Sequence, residues 1–222
     1  MTTIAVNVLN PSEQVFLQGE RFASKAGLVN RIKLMHTDQD VNVSELVQAM
    51  FAAAFLYCEK LGAIRLEVRQ KKLLFGLANK TTLYAEPVRP VDLPAPSLEG
   101  QIYEMAANFK KDKEKNEVST LVFAWLREDT NLPWQHAVKL VQECMAARRL
   151  LSVVQEKKLK IFTVNNYALP EETRRLAAEL AAEPVQQLLL DCQKNRPEVW
   201  KLLVKHIKSG IDNRHESDHD MD

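Results

Sequence analysis

Residues 66–76 read LEVRQKKLLFG, and residues 152–162, set 86 positions further along, read SVVQEKKLKIF. Val68 lines up with Val154, Lys71-Lys72-Leu73 with Lys157-Lys158-Leu159, and Phe75 with Ile161. In the first stretch Ile64, Leu66 and Val68 alternate with Arg65, Glu67 and Arg69, the period of a half-buried strand. Gln70-Lys71-Lys72 reads as a polar turn and Leu73-Leu74-Phe75 as the returning strand. The second stretch reads as a like hairpin, with Leu151 and Val153 before a turn at 155–158 and Leu159 and Ile161 after it.

A long apolar helix precedes each hairpin. Leu46, Val47, Met50, Phe51, Ala54, Tyr57, Cys58 and Leu61 follow helical spacing, with Ser44 as the expected cap and Gly62 as the expected terminator. Pro133 opens a second such stripe through Trp134, Ala137, Val138, Val141, Cys144 and Met145. Helix followed by a basic-tipped hairpin, twice, predicts a mostly α fold with two short β-hairpins: tandem winged-helix-like units plus C-terminal helices. The plainer alternative is an irregular, mostly α domain with two unrelated hairpins.

The organisation follows from that frame. Residues 1–40 read as an irregular N-terminal segment, in which Asn10-Pro11-Ser12-Glu13 is turn chemistry or the start of a short helix. Residues 41–86 form the first unit and 98–166 the second. Between them 87–97, the end of a proline-rich stretch from 81, reads as an extended connector, because proline fixes φ and removes a donor. Residues 167–211 are a helical cap. It holds a long helix opened by Pro170, broken at Pro184, and a last helix from about Pro197 to Gly210. The polar tail 212–222, DNRHESDHDMD, is expected to be disordered.

Composition narrows the chemistry. The chain has 222 residues, 30 basic against 29 acidic, and is 46% hydrophobic, enough to bury a sizeable core. Cys58, Cys144 and Cys192 are widely spaced with no CxxC pair, which points to a reduced, intracellular chain rather than a disulfide or zinc scaffold. The most apolar run, 49–58, is far short of the ~20 residues a membrane span needs. The N-terminus lacks the pattern of a signal peptide. There is no GxSxG, P-loop or GxGxxG, and no HExxH. His36, His136 and His206 are isolated, and His215 and His219 fall in the tail, so neither a metal nor a cofactor is expected. Glu171-Glu172 reads as charge favourable to a helix N-terminus. Trp125 and Trp134 read as core residues and Trp200 as a half-buried docking residue.

Local charge is the most suggestive feature. Residues 57–80 hold six basic side chains against two acidic, and residues 139–160 hold the same balance. Arg65, Arg69, Lys71 and Lys72 of the first hairpin region, with Arg148, Arg149, Lys157 and Lys158 of the second, are the candidate contacts to an anionic partner. Such charge suits a lipid surface or nucleic-acid phosphates. Lysines at hairpin tips also serve to protect strand edges and keep a surface soluble. The helix before the second hairpin offers Gln135, His136, Lys139, Gln142 and Glu143, too few cations for a strong DNA-reading helix.

From Ser44 through Leu169 the order of local patterns resembles the Golgi phosphoprotein 3 family and its bacterial relatives. A helix runs into EKLGAIRLEV and a hairpin, APSLEGQIYEM opens a helix, a Trp-containing turn follows, and a helix leads to ARRLLSVVQEKKLKIFTV before Leu169-Pro170. The resemblance implies a largely helical, non-catalytic fold. The family's eukaryotic members are peripheral membrane adaptors that bind phosphatidylinositol 4-phosphate and the tails of Golgi enzymes. The family's lipid-pocket tryptophan falls near Asn42, its partnering arginine near Phe51, and two further arginines near Gln135 and Val138. None of the four is kept, and the leucine/glutamate-rich N-terminal segment is not evident, so no lipid-binding residue carries over.

The resulting expectation is a cytoplasmic, non-catalytic adaptor that engages a protein partner and touches an anionic membrane surface through basic hairpins. The alternative is a winged-helix DNA-binding regulator.

Overall fold

The computed structural model describes residues 9–73, 78–110, 116–158 and 162–215. Among them the fold is mostly helical, with eight α-helices and three two-stranded antiparallel sheets. In chain order come α1 (Pro11–Leu17), a 3-10 turn (Gly19–Arg21), β1 (Arg31–Lys33), β2 (Asp40–Asn42) and α2 (Val43–Lys60). The first long hairpin is β3 (Ile64–Leu73) with β4 (Ala78–Pro87). Then follow α3 (Leu98–Phe109), α4 (Val118–Leu126) and α5 (Pro133–Ala147), and the second hairpin, β5 (Ser152–Lys158) with β6 (Phe162–Ala168). Helices α6 (Glu171–Glu179), α7 (Glu183–Asn195) and α8 (Pro197–Asp212) complete the chain.

α2 is the axis. Val43, Leu46, Val47, Met50 to Leu56 and Cys58 are all buried, an almost complete apolar circumference that only a helix surrounded by others can carry. Its start is set by Asn42: the Asn42 Oδ1 accepts the backbone N–H of Ser44 at 3.0 Å and of Glu45 at 3.3 Å. The cap is therefore Asn42 and not Ser44, whose own hydroxyl donates to the same oxygen at 2.8 Å. The longer amide arm, one residue before the first helical turn, reaches the orphan N–H groups that Ser44, already inside the helix, cannot.

One continuous buried set runs from Leu9 to Ile211 and draws on both helix–hairpin units, the N-terminal segment and the C-terminal helices. The N-terminal segment is not irregular: α1 is capped by Glu13, whose Oε2 accepts the Asn10 N–H at 2.8 Å, and Ser12 through Leu17 are buried. α4 and α8 lie in direct contact. A Cβ at Gly210 would sit 2.6 Å from the Ser119 carbonyl oxygen, so glycine is what permits the approach.

Several boundaries differ from the sequence reading. The lysines of 70–72 do not form a turn: β3 pairs through Leu73, with Lys71 opposite Lys80 and Lys72 opposite Asn79. The returning strand is 78–87, long enough to pair all ten residues, so the connection lies at 74–77, outside the described residues together with the expected return at Leu74 and Phe75. Likewise β5 pairs through Lys158, and 159–161 lie outside the described residues. Residues 81–87 are strand β4, which leaves 88–97 as the extended stretch. Pro184 does not break a helix; the break falls at 180–182 and Pro184 sits in the first turn of α7, where its missing N–H costs nothing. Finally, α8 reaches Asp212, and Arg214 is held by the Phe123 carbonyl at 2.8 Å and stacked over the Phe123 ring, so 212–215 is ordered. Residues 216–222 lie outside the described residues.

Candidate functional site

Several of the eight cations singled out in the sequence are tied up within the molecule. Arg65 and Arg69 flank Glu67 on β3 and both bond it, Arg65 Nε at 2.6 Å and Arg69 Nε at 3.1 Å. Arg69 also meets Glu86 across the ladder at 2.8 Å and lies over the Tyr84 ring at 4.7 Å. The Arg69 hydrogen bond holds the Glu67 carboxyl below the usual carboxylate range. Lys71 Nζ reaches Glu117 Oε1 at 2.6 Å, and the Tyr84 hydroxyl donates to the same oxygen at 3.4 Å. This side of the first hairpin is thus internally neutralised. Lys72, Lys157 and Lys158 occupy the far ends of their strands. Arg149 is exposed in a left-handed backbone conformation, φ 62°.

Arg148 is a correction. It is no surface contact: its side chain is 8% exposed and its Nη1 donates to Glu13 Oε1, itself 2% exposed. Next to that pair Glu99 is fully enclosed, taking the Ser12 backbone N–H on Oε1 and the Ser12 hydroxyl on Oε2, each at 2.9 Å. The Cys58 thiol lies 3.5 Å from the Glu99 carbonyl oxygen. Two carboxyls and one guanidinium therefore share a dry site at the start of α1. Burial pushes the Glu99 carboxyl up to about 7, with Glu13 adding repulsion, and burial also raises Glu13 against the pull of Arg148. The thiols are driven further towards their neutral form: burial raises Cys58, and raises Cys144 to about 11, so neither is an activated nucleophile. The cluster joins α1, α2, α3 and the end of α5, and its chemistry is structural.

The tryptophans divide as their surroundings require. Trp125 is 3% exposed, packs edge-on to Phe51 at 5.1 Å, and donates its indole N–H to Gln101 at 2.6 Å. Trp134 donates to Asp212 at 3.2 Å, tying α5 to the end of α8. Trp200 is half-buried and lines a groove of about 490 Å³. Its apolar lining residues are Phe22, Ala49, Leu189, Leu190, Trp200 and Val204. The polar part of the lining is Arg21, Glu45 and the amides Gln48, Gln186 and Gln193. The groove volume falls in the range of sites that bind ligands, with apolar walls and a few polar groups. Glu45 is fixed there, accepting the Ser24 N–H at 2.7 Å, and Gln186 donates to the Arg21 carbonyl at 3.2 Å.

Of these residues the sequence reading gives a docking role to Trp200 alone. The signal available for the rest was the run Leu188-Leu189-Leu190, which has more apolar positions than one buried face of α7 needs. Phe22 and α2 join them only through the fold. Among the described residues no three His, Cys, Asp or Glu side chains converge as metal ligands, and no helix is long and apolar enough to cross a membrane. Burial and the nearby Lys80 lower His206, whose Nδ1 lies 3.2 Å from the Ser119 hydroxyl, so it sits as a neutral ring between α8 and α4. No family model, no curated protein and no solved structure matches the chain.

Proposed function

We propose that this chain is a non-catalytic adaptor that rests on an anionic membrane surface through the far ends of its two hairpins. The observation that carries the reading is the cross-strand placement of Lys71 opposite Lys80, with Lys72 beside them, at the end of β3–β4. Like charges directly opposite in a ladder cost stability, and here Lys71 is tied to Glu117. Lys157 and Lys158 also end their strand, opposite Thr163 and Phe162 rather than opposite further lysines. Each lysine near an anionic bilayer contributes about 1 kcal/mol, so with Lys71 held by Glu117 the other four, Lys72, Lys80, Lys157 and Lys158, make a useful if salt-sensitive attachment. The repetition of helix then hairpin keeps the winged-helix-like description of the two units. The resemblance to the Golgi phosphoprotein 3 family points towards a membrane adaptor. A binding role rather than a catalytic one is favoured by where the titratable groups go: many into ion pairs and the buried α1 cluster, while the 490 Å³ groove is lined by apolar and amide side chains with one Arg and one Glu, Arg21 and Glu45.

Vesicle co-sedimentation tests it. The full chain should pellet with phosphatidylcholine/phosphatidylserine vesicles at low salt, not with phosphatidylcholine alone, and should be released as salt rises. Changing Lys71, Lys72, Lys80, Lys157 and Lys158 to Ser should abolish pelleting. Unchanged pelleting of that variant would sink the proposal. Salt-sensitive retention of random duplex DNA without vesicle binding would move the reading to the DNA regulator.

A further inference from the structure

Between the 3-10 turn and β1 the chain reads Ser24-Lys25-Ala26-Gly27-Leu28-Val29-Asn30-Arg31 and forms an apex fastened at both ends. On one side the Asn42 N–H donates to the Ser24 carbonyl at 2.9 Å and the Ala26 N–H to the Asp40 carbonyl at 3.0 Å. On the other the Val43 N–H donates to the Asn30 carbonyl at 3.0 Å, and the Asn30 amide to the Ser44 hydroxyl at 2.9 Å. Asn30 turns the chain at φ 60°, a left-handed conformation that its short polar side chain tolerates. Phe22 before the apex and Ile32 after it pack against the core. Gly27, Leu28 and Val29 stand out between these fastenings. Beyond its chain neighbours a Cβ on Gly27 would meet no atom within 4 Å, Leu28 is 93% exposed and Val29 is 84% exposed. The next most exposed large apolar side chain among the described residues, Leu132, stands at 58%.

A single exposed leucine is ordinary, but two adjacent apolar side chains held out by a fastened turn keep their surface in water, a cost that insertion removes. The flanks are cationic. No acid lies between Ser24 and Lys33, while Lys25, Arg31 and Lys33 are all exposed. Asp38 answers Lys33 at 3.4 Å and Asp40 stands opposite it in the β1–β2 ladder, which leaves Lys25 and Arg31 to face an anionic partner. An apolar tip between two cations matches the boundary of an anionic bilayer: the tip enters the acyl region and the long basic side chains reach back to the headgroups. A stable protein interface needs about 800 Å² on each side. Ser24, Lys25, Asn30 and Arg31 beside the apex are polar or charged, so no apolar face continues from it. We infer that Leu28 and Val29 insert into an anionic membrane as a preformed wedge, with Lys25 and Arg31 on the headgroups. The inference rests on the membrane reading above for its partner, and adds a contact by residues outside the two lysine-bearing hairpins.

The test places a polarity-sensitive label on the apex. Leu28→Cys in the full chain is reacted with an NBD iodoacetamide; Cys58, Cys144 and Cys192 are buried, and the parent chain treated alike gives the blank. On phosphatidylcholine/phosphatidylserine vesicles at low salt the emission should rise and shift to the blue, and lipids brominated in the acyl chain should quench it. Leu28→Ser with Val29→Ser removes the wedge from positions the core does not use. Urea unfolding should stay unchanged while the vesicle partition coefficient falls by about tenfold or more. Lys25→Glu with Arg31→Glu should lower the same coefficient severalfold. A silent label on vesicles with which the parent chain pellets would overturn the inference and leave the hairpin reading standing. A responding label in the chain carrying the five Lys→Ser changes, if that chain still pellets, would remove the hairpin reading and leave this one. A silent label without pelleting of the parent would remove both. Self-association of the parent that Leu28→Ser with Val29→Ser abolishes, with the label silent on vesicles, would assign the apex to a second copy of the chain and overturn the inference.

Discussion

Where α2 gives way to β3, Gly62 takes φ 72°, and its N–H reaches the Glu59 carbonyl while the Ala63 N–H reaches that of Cys58, both at 2.9 Å. Where α5 gives way to β5, Arg149 takes φ 62°, and the Arg149 and Leu150 N–H groups reach Ala146 and Met145 at 2.9 and 2.8 Å. Both helices end in the same Schellman turn and release the chain into a hairpin. Beyond that turn the two units part. In β3 the buried Ile64 and Leu66 alternate with Arg65 and Glu67, and in β4 Thr82 through Ala85 are all buried, so this hairpin enters the core. β5–β6 begins with adjacent valines, Val153 at 49% and Val154 at 45% exposure, and among its described side chains only those near its root, such as Tyr167, pack against the core. A shared local motif therefore does not give a shared role. The period-2 pattern decides whether a hairpin is cemented to the core or stands out from it.

Both roots are fastened to the first turn of α1, and the most severe way to break the comparison is there. Arg148 roots the second unit on Glu13. Arg148→Met would strand a buried carboxylate and should cost about 4 kcal/mol in urea unfolding. Next in size is the contrast between the hairpins themselves. Leu83→Ala in β4 should cost about 3 kcal/mol, whereas Val154→Ala in β5 should cost less than about 0.5 kcal/mol. Similar costs at the two sites would show that the second hairpin is packed after all.

The first unit is rooted through Glu99, which joins Ser12 of α1 to the Cys58 end of α2. Its carboxyl is raised from 4.5 to about 7 in the fold. Below about pH 4.5 both folded and unfolded chains hold this proton. Above that the unfolded chain releases it first, so stability falls as pH rises and the loss is complete beyond about 7. Glu99→Gln keeps the Ser12 contacts, since its amide oxygen accepts and its amide nitrogen donates to the hydroxyl. It should flatten the decline and gain on the order of 2 kcal/mol at pH 8, measured by urea melts across pH. A variant that declines as steeply as the parent would assign the titration to Glu13.

The smallest effects sharpen the likeness rather than the contrast. Gly62→Ala should lose about 1 kcal/mol, and Arg149→Gly should gain about as much, because only glycine holds a left-handed C′ position without strain. Thermal melts read both, and Arg149→Gly should also leave vesicle pelleting intact.

The sequence made the helices of both units, their order, and the alternation that buries β3 legible, because spacing and terminators act within a few residues. Gly62 and Pro133 do their work locally and were readable as such. The hairpin ends were misjudged by several residues because pairing partners set the length of a ladder, and Lys71 and Lys72 look like turn residues until Lys80 and Asn79 stand opposite them. Arg148 looked like surface charge because its partner, Glu13, is 135 residues away.

By itself the chain determined its helical stripes, its two hairpins and an absence of strong charge imbalance, all properties written at short range. Only the tertiary structure decided which cations are spent inside the molecule, which carboxyl keeps its proton, and that Phe22, α2, α7 and α8 close around an apolar groove. These depend on burial and on distances between residues far apart in the chain, and desolvation acts on a group only once the surrounding elements have excluded water from it.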